Sequence, residues 1–172
     1  MRIGILSDTH NRLTRTVTAV QLLRDEGAEK LIHCGDLTSP EIVLACGILP
    51  AYFVLGNNDA DNVPALVQAV KEVGGVCLDW GGEVTLAGKR IAVTHGHMHN
   101  DVRRLLASRP DYLLSGHSHI ASDTRVGPTR RINPGALHQA AEFTVALLDL
   151  GTDTLRFLNV PDERTSSARK TS

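Results

Sequence analysis

The sequence predicts an α/β fold built on a mixed β-sheet or on two sheets packed together. Residues 1–75 alternate short apolar runs with segments whose apolar residues recur at helical spacing, which is typical of βαβ units. From residue 76 the apolar runs follow one another across short glycine-containing turns, which indicates hairpins. This change of rhythm argues against a purely parallel sheet.

Each element of the first half has a local signal. A serine and a proline at Ser39-Pro40 start the second helix, and glycines such as Gly27 and Gly47 end the helices. Apolar spacing sets the inner face of the first helix and of the third. Strands are therefore predicted at 2–7, 31–34 and 52–55, and helices at 13–26, 40–46 and 64–73.

The second half reads mainly as strands. Asn100-Asp101 is expected to cap a short helix that ends before Pro110, and Gly81-Gly82 and Gly127-Pro128 are read as hairpin turns. The predicted helix is 102–108, and the predicted strands are 76–80, 83–87, 90–94, 112–115, 120–125, 129–132, 143–150 and 155–160. One domain is expected over 1–160, followed by a polar tail over 161–172.

Composition narrows the class of protein. The 172 residues are 42% hydrophobic with a net charge of -1 and 3% aromatics, which argues against a basic groove for a nucleic-acid polymer. No segment has the length of a membrane span, so we expect a cytoplasmic protein with no membrane partner. The three cysteines Cys34, Cys46 and Cys77 form no CxxC pair and are expected to be buried free thiols.

Polar motifs stand at the ends of five predicted strands. They are Asp8-Thr9-His10, Gly35-Asp36, Gly56-Asn57-Asn58-Asp59, His95-Gly96-His97 and Gly116-His117-Ser118-His119. Any one of them alone would be read as a cap or a turn. Because strand ends meet at one rim of an α/β sheet, their coincidence favours a shared metal site.

The number of candidate ligands exceeds the needs of one ion. Seven side chains are candidates, namely Asp8, His10, Asp36, Asn57, His95, His117 and His119. A single catalytic zinc takes three protein ligands, whereas seven suit two ions that share a carboxylate. Asp36 follows Gly35 in a tight turn and is the natural bridge.

These ordered motifs resemble the signature of the calcineurin-like metallophosphoesterase superfamily over residues 1 to about 150. The short chain and the Asn133-Pro134-Gly135-Ala136 segment resemble its small bacterial and archaeal phosphodiesterase branch. The resemblance implies a four-layer β-sandwich of two mixed sheets flanked by helices. It also implies a dinuclear phosphoesterase that hydrolyses small phosphodiesters.

The resemblance implies two ligand sets. Asp8, His10, Asp36 and His119 would hold one ion, and Asp36, Asn57, His95 and His117 the other. Manganese is the expected metal, with iron, nickel, cobalt or zinc as alternatives. The ligand set of carboxylate, amide and imidazole without thiolate suits all five metals and does not rank them. A hydroxide that bridges the two ions is the expected nucleophile.

One position departs from the family pattern. Many members carry a histidine after the motif asparagine, and here the residue is Asn58, whose amide cannot act as a general acid. Asp59 matches the acid that follows, with a catalytic or a turn role open. We hypothesise that His97 supplies the missing acid or a phosphate contact, and His99 is a weaker candidate.

Other polar residues near the motifs keep a plainer interpretation. His33 lies within an apolar strand and could orient a ligand, and His138 has no partner in the sequence. Arg12 and Arg130-Arg131 could reach a substrate phosphate, but solvated charge is the default interpretation for both. Cys34 is most simply a small buried residue at a strand end.

Two other functions stay open. A protein-interaction scaffold is the first alternative, because the superfamily includes a retromer coat subunit with a compromised site. A nuclease is the second, and it is disfavoured by the lack of a basic surface. Self-association is a further open question, since small members of the family often form oligomers.

Overall fold

The computed structural model describes residues 1–161 and contains two mixed β-sheets and four α-helices. The helices are α1 Leu13–Asp25, α2 Pro40–Cys46, α3 Val63–Glu72 and α4 His99–Ala107. The strands are β1 Arg2–Leu6, β2 Lys30–His33, β3 Ala51–Phe53, β4 Val76–Cys77, β5 Gly81–Leu86, β6 Lys89–Thr94, β7 Tyr112–Leu114, β8 Ser122–Val126, β9 Thr129–Asn133, β10 Thr144–Asp149 and β11 Thr154–Asn159. A 3₁₀ helix covers Asn57–Asn62.

The first sheet has the order β11-β10-β1-β2-β3-β4. Strands β1 to β4 run parallel, and helices α1, α2 and α3 lie in the three connections between them. Strands β10 and β11 join the sheet as antiparallel strands. Helices α1, α2 and α3 cover its outer face, where Leu23, Ile42 and Leu66 pack against Leu31 and Phe53.

The second sheet has the order β5-β6-β7-β9-β8. Strands β6, β7 and β9 run parallel, and β5 and β8 are antiparallel edges. Helix α4 covers part of its outer face, where Leu105 packs against Ala92 and Leu113.

The inner faces of the two sheets form the central core. Ile3 and Ile5 from the first sheet meet Val93, Leu114 and Ile132 from the second, and all five are fully buried. The order of layers is helix, sheet, sheet, helix, which confirms the α/β sandwich expected from the sequence.

Three local predictions were wrong. Residues 76–80 do not form a hairpin with the next strand, because β4 pairs with β3 in the first sheet and the chain then crosses to β5 in the second. Gly81 and Gly82 therefore lie inside β5 rather than in a turn. Helix α4 begins at His99, so Asn100 and Asp101 lie in its first turn and do not cap it.

The described residues bear on two further expectations, the absence of a membrane span and the polar tail. Within residues 1–161 no helix is both long enough and apolar enough to cross a membrane. The tail expected over 161–172 lies outside the described residues except for Pro161.

Candidate metal centre

The candidate ligands lie where strands of both sheets end at one rim. Asp8 and His10 follow β1, and Asp36 follows β2. From the second sheet, His95 follows β6, and His117 and His119 follow β7. Because the parallel strands of each sheet end on the same side, residues up to 111 positions apart in the sequence come together.

Two carboxylates lie among three imidazoles. The Oδ2 atom of Asp36 is 3.2 Å from Nε2 of His10 and 3.3 Å from Nε2 of His95. The Oδ1 atom of Asp8 is 3.2 Å from Nε2 of His119 and 3.9 Å from Nε2 of His95. Each carboxylate therefore lies close to the Nε2 atoms of two histidines.

These atoms form two overlapping groups. Ligand atoms of Asp8, His10 and His119 lie within 4.8 Å of one another, and so do those of Asp8, Asp36 and His95. Asp8, Asp36 and His95 are buried, whereas His10 and His119 reach the surface. Asp8 belongs to both groups, whereas the sequence favours Asp36 as the shared carboxylate.

The remaining two candidates flank these groups. The His117 ring lies 5.1 Å from the His95 ring, and its backbone N–H donates to Oδ2 of Asp8 at 3.1 Å. Asn57 starts the 3₁₀ helix with an exposed side chain that makes no hydrogen bond within the described residues. Both are therefore at the rim, with Asn57 at its outer side.

The backbone of the site is strained. Five of the seven candidate ligands adopt left-handed φ angles between 40° and 68°, namely Asp8, His10, Asp36, His117 and His119. Such conformations are unfavourable for residues with a Cβ and persist where surrounding contacts hold them, as at many functional sites. Here the backbone N–H groups of Asp8 and His10 donate to the carbonyl oxygens of Gly35 and Asp36.

Glycines let the rim loops approach closely. A Cβ on Gly56 would collide with Oδ1 of Asp36, and one on Gly116 would collide with Ser7 and Asp8. A Cβ on Gly35 would lie 2.8 Å from the His95 ring. The glycines of the motifs therefore leave the space that the candidate ligands occupy.

Asp59 organises the loop that carries Asp36. Its buried carboxylate accepts hydrogen bonds from the backbone N–H groups of Asp36 (2.9 Å), Gly56 (2.7 Å) and Thr38 (2.7 Å). Burial raises the pKa of Asp59, and the backbone hydrogen bonds oppose that rise. This geometry gives Asp59 a positioning role, and the catalytic role weighed for it stays a prediction.

Asn58 contacts the carboxylate of Asp36 directly. Its backbone N–H donates to Oδ1 at 2.9 Å, and its side-chain amide donates to Oδ2 at 2.7 Å. The residue that departs from the family pattern thus orients a candidate ligand in this structure.

His33 supports the same turn from below. Its Nδ1 accepts a hydrogen bond from the Gly35 backbone N–H at 3.2 Å, and its Nε2 lies 3.2 Å from the Thr9 hydroxyl. Burial and the neighbouring His95 lower the pKa of His33 to about 3, so the ring is neutral at pH 7. The neighbouring Cys34 thiol is also buried, which raises its pKa and makes it a poor nucleophile.

His97 stands beside the ligands of the second sheet. Its ring lies 5.4 Å from the His95 ring and 6.1 Å from the rings of His117 and Trp80. Burial and the two neighbouring histidines lower the pKa of His97. Its Nδ1 is buried and has no hydrogen-bond partner in the described part of the chain. By contrast, His99 is exposed at the start of α4.

One neighbour of the site was missed in the sequence. The His138 ring lies 4.7 Å from the His10 ring, and its Nδ1 accepts a hydrogen bond from Nε of Arg12 at 3.2 Å. His138 follows β9 in a segment without a metal-ligand motif. Its position after the Asn133-Pro134-Gly135 turn is the one signal in the sequence that could have located it.

The hydrogen bonding of the candidate ligand atoms indicates whether a metal would fit. Asp8 Oδ1, His10 Nε2 and His95 Nε2 are buried and have no hydrogen-bond partner among residues 1–161. The ring nitrogens approach the carboxylates closely, but their geometry is too poor for a hydrogen bond. Buried polar atoms without partners are costly, and carboxylate and imidazole groups are common ligands of divalent cations. The residues therefore fit a metal centre.

The charges of the site agree with this geometry. Burial alone would raise the pKa of Asp36, but the adjacent His10 and His95 and the Asn58 amide hold it well below its ordinary value. Burial alone would lower the pKa of His95, but Asp36 and Asp8 raise it overall. The site thus holds Asp36 as an ionised carboxylate that favours cationic neighbours.

Comparisons with known proteins find similar phosphoesterases. The model of the calcineurin-like phosphoesterase superfamily domain matches residues 1–153. A phosphodiesterase from Methanocaldococcus jannaschii is 31% identical over 142 residues, which cover 78% of this chain and 83% of that protein. The phosphodiesterase YfcE of Escherichia coli is 26% identical over 152 residues, with 80% and 79% covered.

Solved structures give the same result for the fold. The structure of an archaeal phosphodiesterase matches with a TM-score of 0.85 at 28% identity, covering 93% of this chain and 100% of that one. Vps29 from Entamoeba histolytica matches with a TM-score of 0.63 at 16% identity, covering 94% of this chain and all of that one. The second likeness concerns the fold alone.

Proposed function

The chain belongs to the calcineurin-like phosphoesterase superfamily, and on that premise we propose that it is a phosphodiesterase with two divalent cations at this rim. One observation carries the proposal. Buried carboxylate and imidazole atoms without hydrogen-bond partners converge there from both sheets. Relatives named as phosphodiesterases support a diester as the substrate.

The proposed ligand sets follow the family pattern. Asp8, His10, Asp36 and His119 would hold one cation, and Asp36, Asn57, His95 and His117 the other. The position of Asp36 Oδ2 between His10 and His95 supports Asp36 as the shared ligand. Manganese is the metal we propose first, and iron, nickel, cobalt or zinc would also suit these ligands.

The roles of the side chains follow from charge. When bound, two divalent cations would lower the pKa of a coordinated water and stabilise negative charge on the phosphoryl oxygens. Asp8 and Asp36 contribute two negative charges, which would leave the loaded site positive and suited to a phosphodiester. Asn58 orients Asp36, and its amide neither gains nor loses a proton near neutral pH.

His97 is our candidate for the general acid. Its partly open position beside His95 and His117 suits a group that donates a proton to the leaving alkoxide. Protonation of the leaving group matters most when that group is a poor one.

The dinuclear proposal is tested by metal analysis together with hydrolysis of bis-p-nitrophenyl phosphate. We expect about two cations per chain after loading with manganese, and turnover that a chelator abolishes and added manganese restores. Bound metal without turnover of any ester would favour an interaction scaffold. A chain that binds no metal would refute the proposal.

The role of His97 is tested with two diesters that differ in their leaving group. In His97→Ala we expect an alkyl ester to lose about 10²-fold or more in kcat/KM, and a p-nitrophenyl ester to lose far less. His99→Ala is the matched control, because that histidine is exposed and only two residues away. Equal losses for both esters would reject His97 as the acid.

A further inference from the structure

A second polar pocket lies on the outer face of the second sheet. Its volume is about 320 Å³. Arg131 from β9, Thr124 and Ser122 from β8, Ser115 after β7, and the His117-Ser118 segment all contribute to its wall. The residues that line it include no carboxylate.

The register of the strands explains why this face is open. Arg131 lies between its partners Leu113 on β7 and Thr124 on β8. Helix α4 covers Leu113 through Leu105, but its main contacts are with β5 and β6. The outer face beyond Leu113 therefore stays open and presents Arg131 beside hydroxyl groups.

Arg131 differs sharply from its neighbour Arg130. Arg130 points to the opposite face and is held by Asp123 and Asp153 at 2.6 to 2.8 Å. Among residues 1–161, the Arg131 guanidinium makes neither a hydrogen bond nor an ion pair, although the residue is half-buried. The hydroxyls of Ser115, Ser122 and Thr124 likewise have no hydrogen-bond partner in this part of the chain.

The pocket adjoins the metal centre. The His117 backbone N–H donates to Asp8 at 3.1 Å, so one residue borders both the candidate ligands and the pocket wall. The Asn133 side chain fixes this wall, because its amide donates to the Gly116 carbonyl at 2.8 Å and to the Ser118 hydroxyl at 3.0 Å.

We propose that this pocket binds a second phosphate-type group carried by the substrate, in addition to the diester that is cleaved at the metal centre. An unpaired guanidinium with several hydroxyl donors is the set of groups that recognises a phosphate. The inference rests on the proposed phosphodiesterase function. It narrows the substrate class to diesters that carry a further terminal phosphate.

The test compares two esters that differ by one phosphate, thymidine 5′-(p-nitrophenyl phosphate) and its 3′-phosphorylated derivative. We expect the wild-type protein to prefer the 3′-phosphorylated ester by about tenfold in kcat/KM, mainly through KM. Arg131→Ala should abolish this preference, and Arg131→Lys should retain part of it. Arg103→Ala is the control for net charge, since Arg103 is exposed on α4.

Two separate measurements distinguish the phosphodiesterase proposal from the pocket proposal. Hydrolysis of the ester without the extra phosphate tests the phosphodiesterase function alone, and the ratio of the two esters tests the pocket. A wild-type protein without preference, or a preference that survives in Arg131→Ala, would overturn the inference. An unfolding midpoint measured with and without sulfate verifies that each variant folds. If sulfate stabilises the protein through Arg131 while the ester ratio stays at one, the substrate role is rejected in favour of a free anion.

Discussion

The two sheets contribute to the rim in different ways. The first sheet supplies the carboxylates of Asp8 and Asp36, whose side chains are at most 2% exposed. The second sheet supplies imidazoles, of which His95 is buried, His119 is partly exposed and His117 is exposed. The carboxylates thus lie at the floor of the site and most of the imidazoles of the second sheet at its mouth.

The loops also differ in how they are held. Asp36 is fixed by Asp59, Asn58 and the turn above His33, all of which belong to the first sheet or its connections. The loop of the second sheet depends on the first, because the His117 N–H donates to Asp8. The first sheet therefore defines the site, and the loops of the second sheet are packed against it.

The largest expected effect comes from the floor of the site. Asp36→Asn removes the charge that lies between His10 and His95, and we expect bound metal to fall and kcat/KM to drop about 10³-fold or more. Metal analysis and hydrolysis of bis-p-nitrophenyl phosphate measure both. Asp25→Asn, on the exposed end of α1, is the control. A variant with unchanged metal content and rate would refute the proposed site.

Removal of a ligand at the mouth should have a smaller effect. In His119→Ala we expect one cation to bind at least about tenfold more weakly while the other stays bound, because His95 and Asp36 are untouched. Titration of the metal-free protein with manganese should then resolve a strong and a weak site. Loss of both cations together would show that the two sheets contribute equally.

The contact between the sheets can be tested by a glycine pair. Gly35 and Gly88 both have left-handed φ angles, 95° and 75°, but a Cβ on Gly35 would meet the His95 ring, whereas one on Gly88 would meet nothing within 4 Å. Substitution by alanine should cost about 1 kcal/mol at Gly88 and about 2 kcal/mol more at Gly35. Urea unfolding measures the difference, and equal costs would contradict the close packing of the two rims.

The smallest expected effect concerns acid stability. His33 has a pKa of about 3 in the folded chain and near 6.5 when unfolded, so the unfolded state binds more protons between these values. The free energy of unfolding should therefore fall as the pH drops through this window, by about 2 kcal/mol between pH 7 and pH 5.

His33→Gln should remove that part of the pH dependence, measured by urea unfolding in a chelator so that metal release does not contribute. His99→Gln serves as the control, since its side chain is exposed. A His33→Gln variant with the full wild-type slope would indicate that His33 is not the group responsible.

The sequence allowed much of this arrangement to be predicted. Short apolar runs located the strands, and the polar residues after them located the rim, because strand ends are local features. The crossing after Cys77 was missed because the apolar run and Gly81-Gly82 satisfy a hairpin equally well. The place of His138 beside His10 depends on tertiary packing over 128 residues and leaves no periodic signal.

The surroundings of some individual residues could not be predicted from the sequence either. Arg130 and Arg131 are adjacent and chemically identical, and only the register of β9 decides that one meets Asp123 while the other faces an open pocket. Asp59 accepts hydrogen bonds from three backbone N–H groups, and their positions depend on the folded loops rather than on a sequence motif.

The left-handed backbone at Asp8, Asp36, His117 and His119 has a consequence for protein engineering. A designer who grafts only these side chains onto an unrelated scaffold with ordinary loops would place the ligand atoms in the wrong directions. The turns must be transplanted whole, together with Gly35, Gly56 and Gly116, which leave room for them.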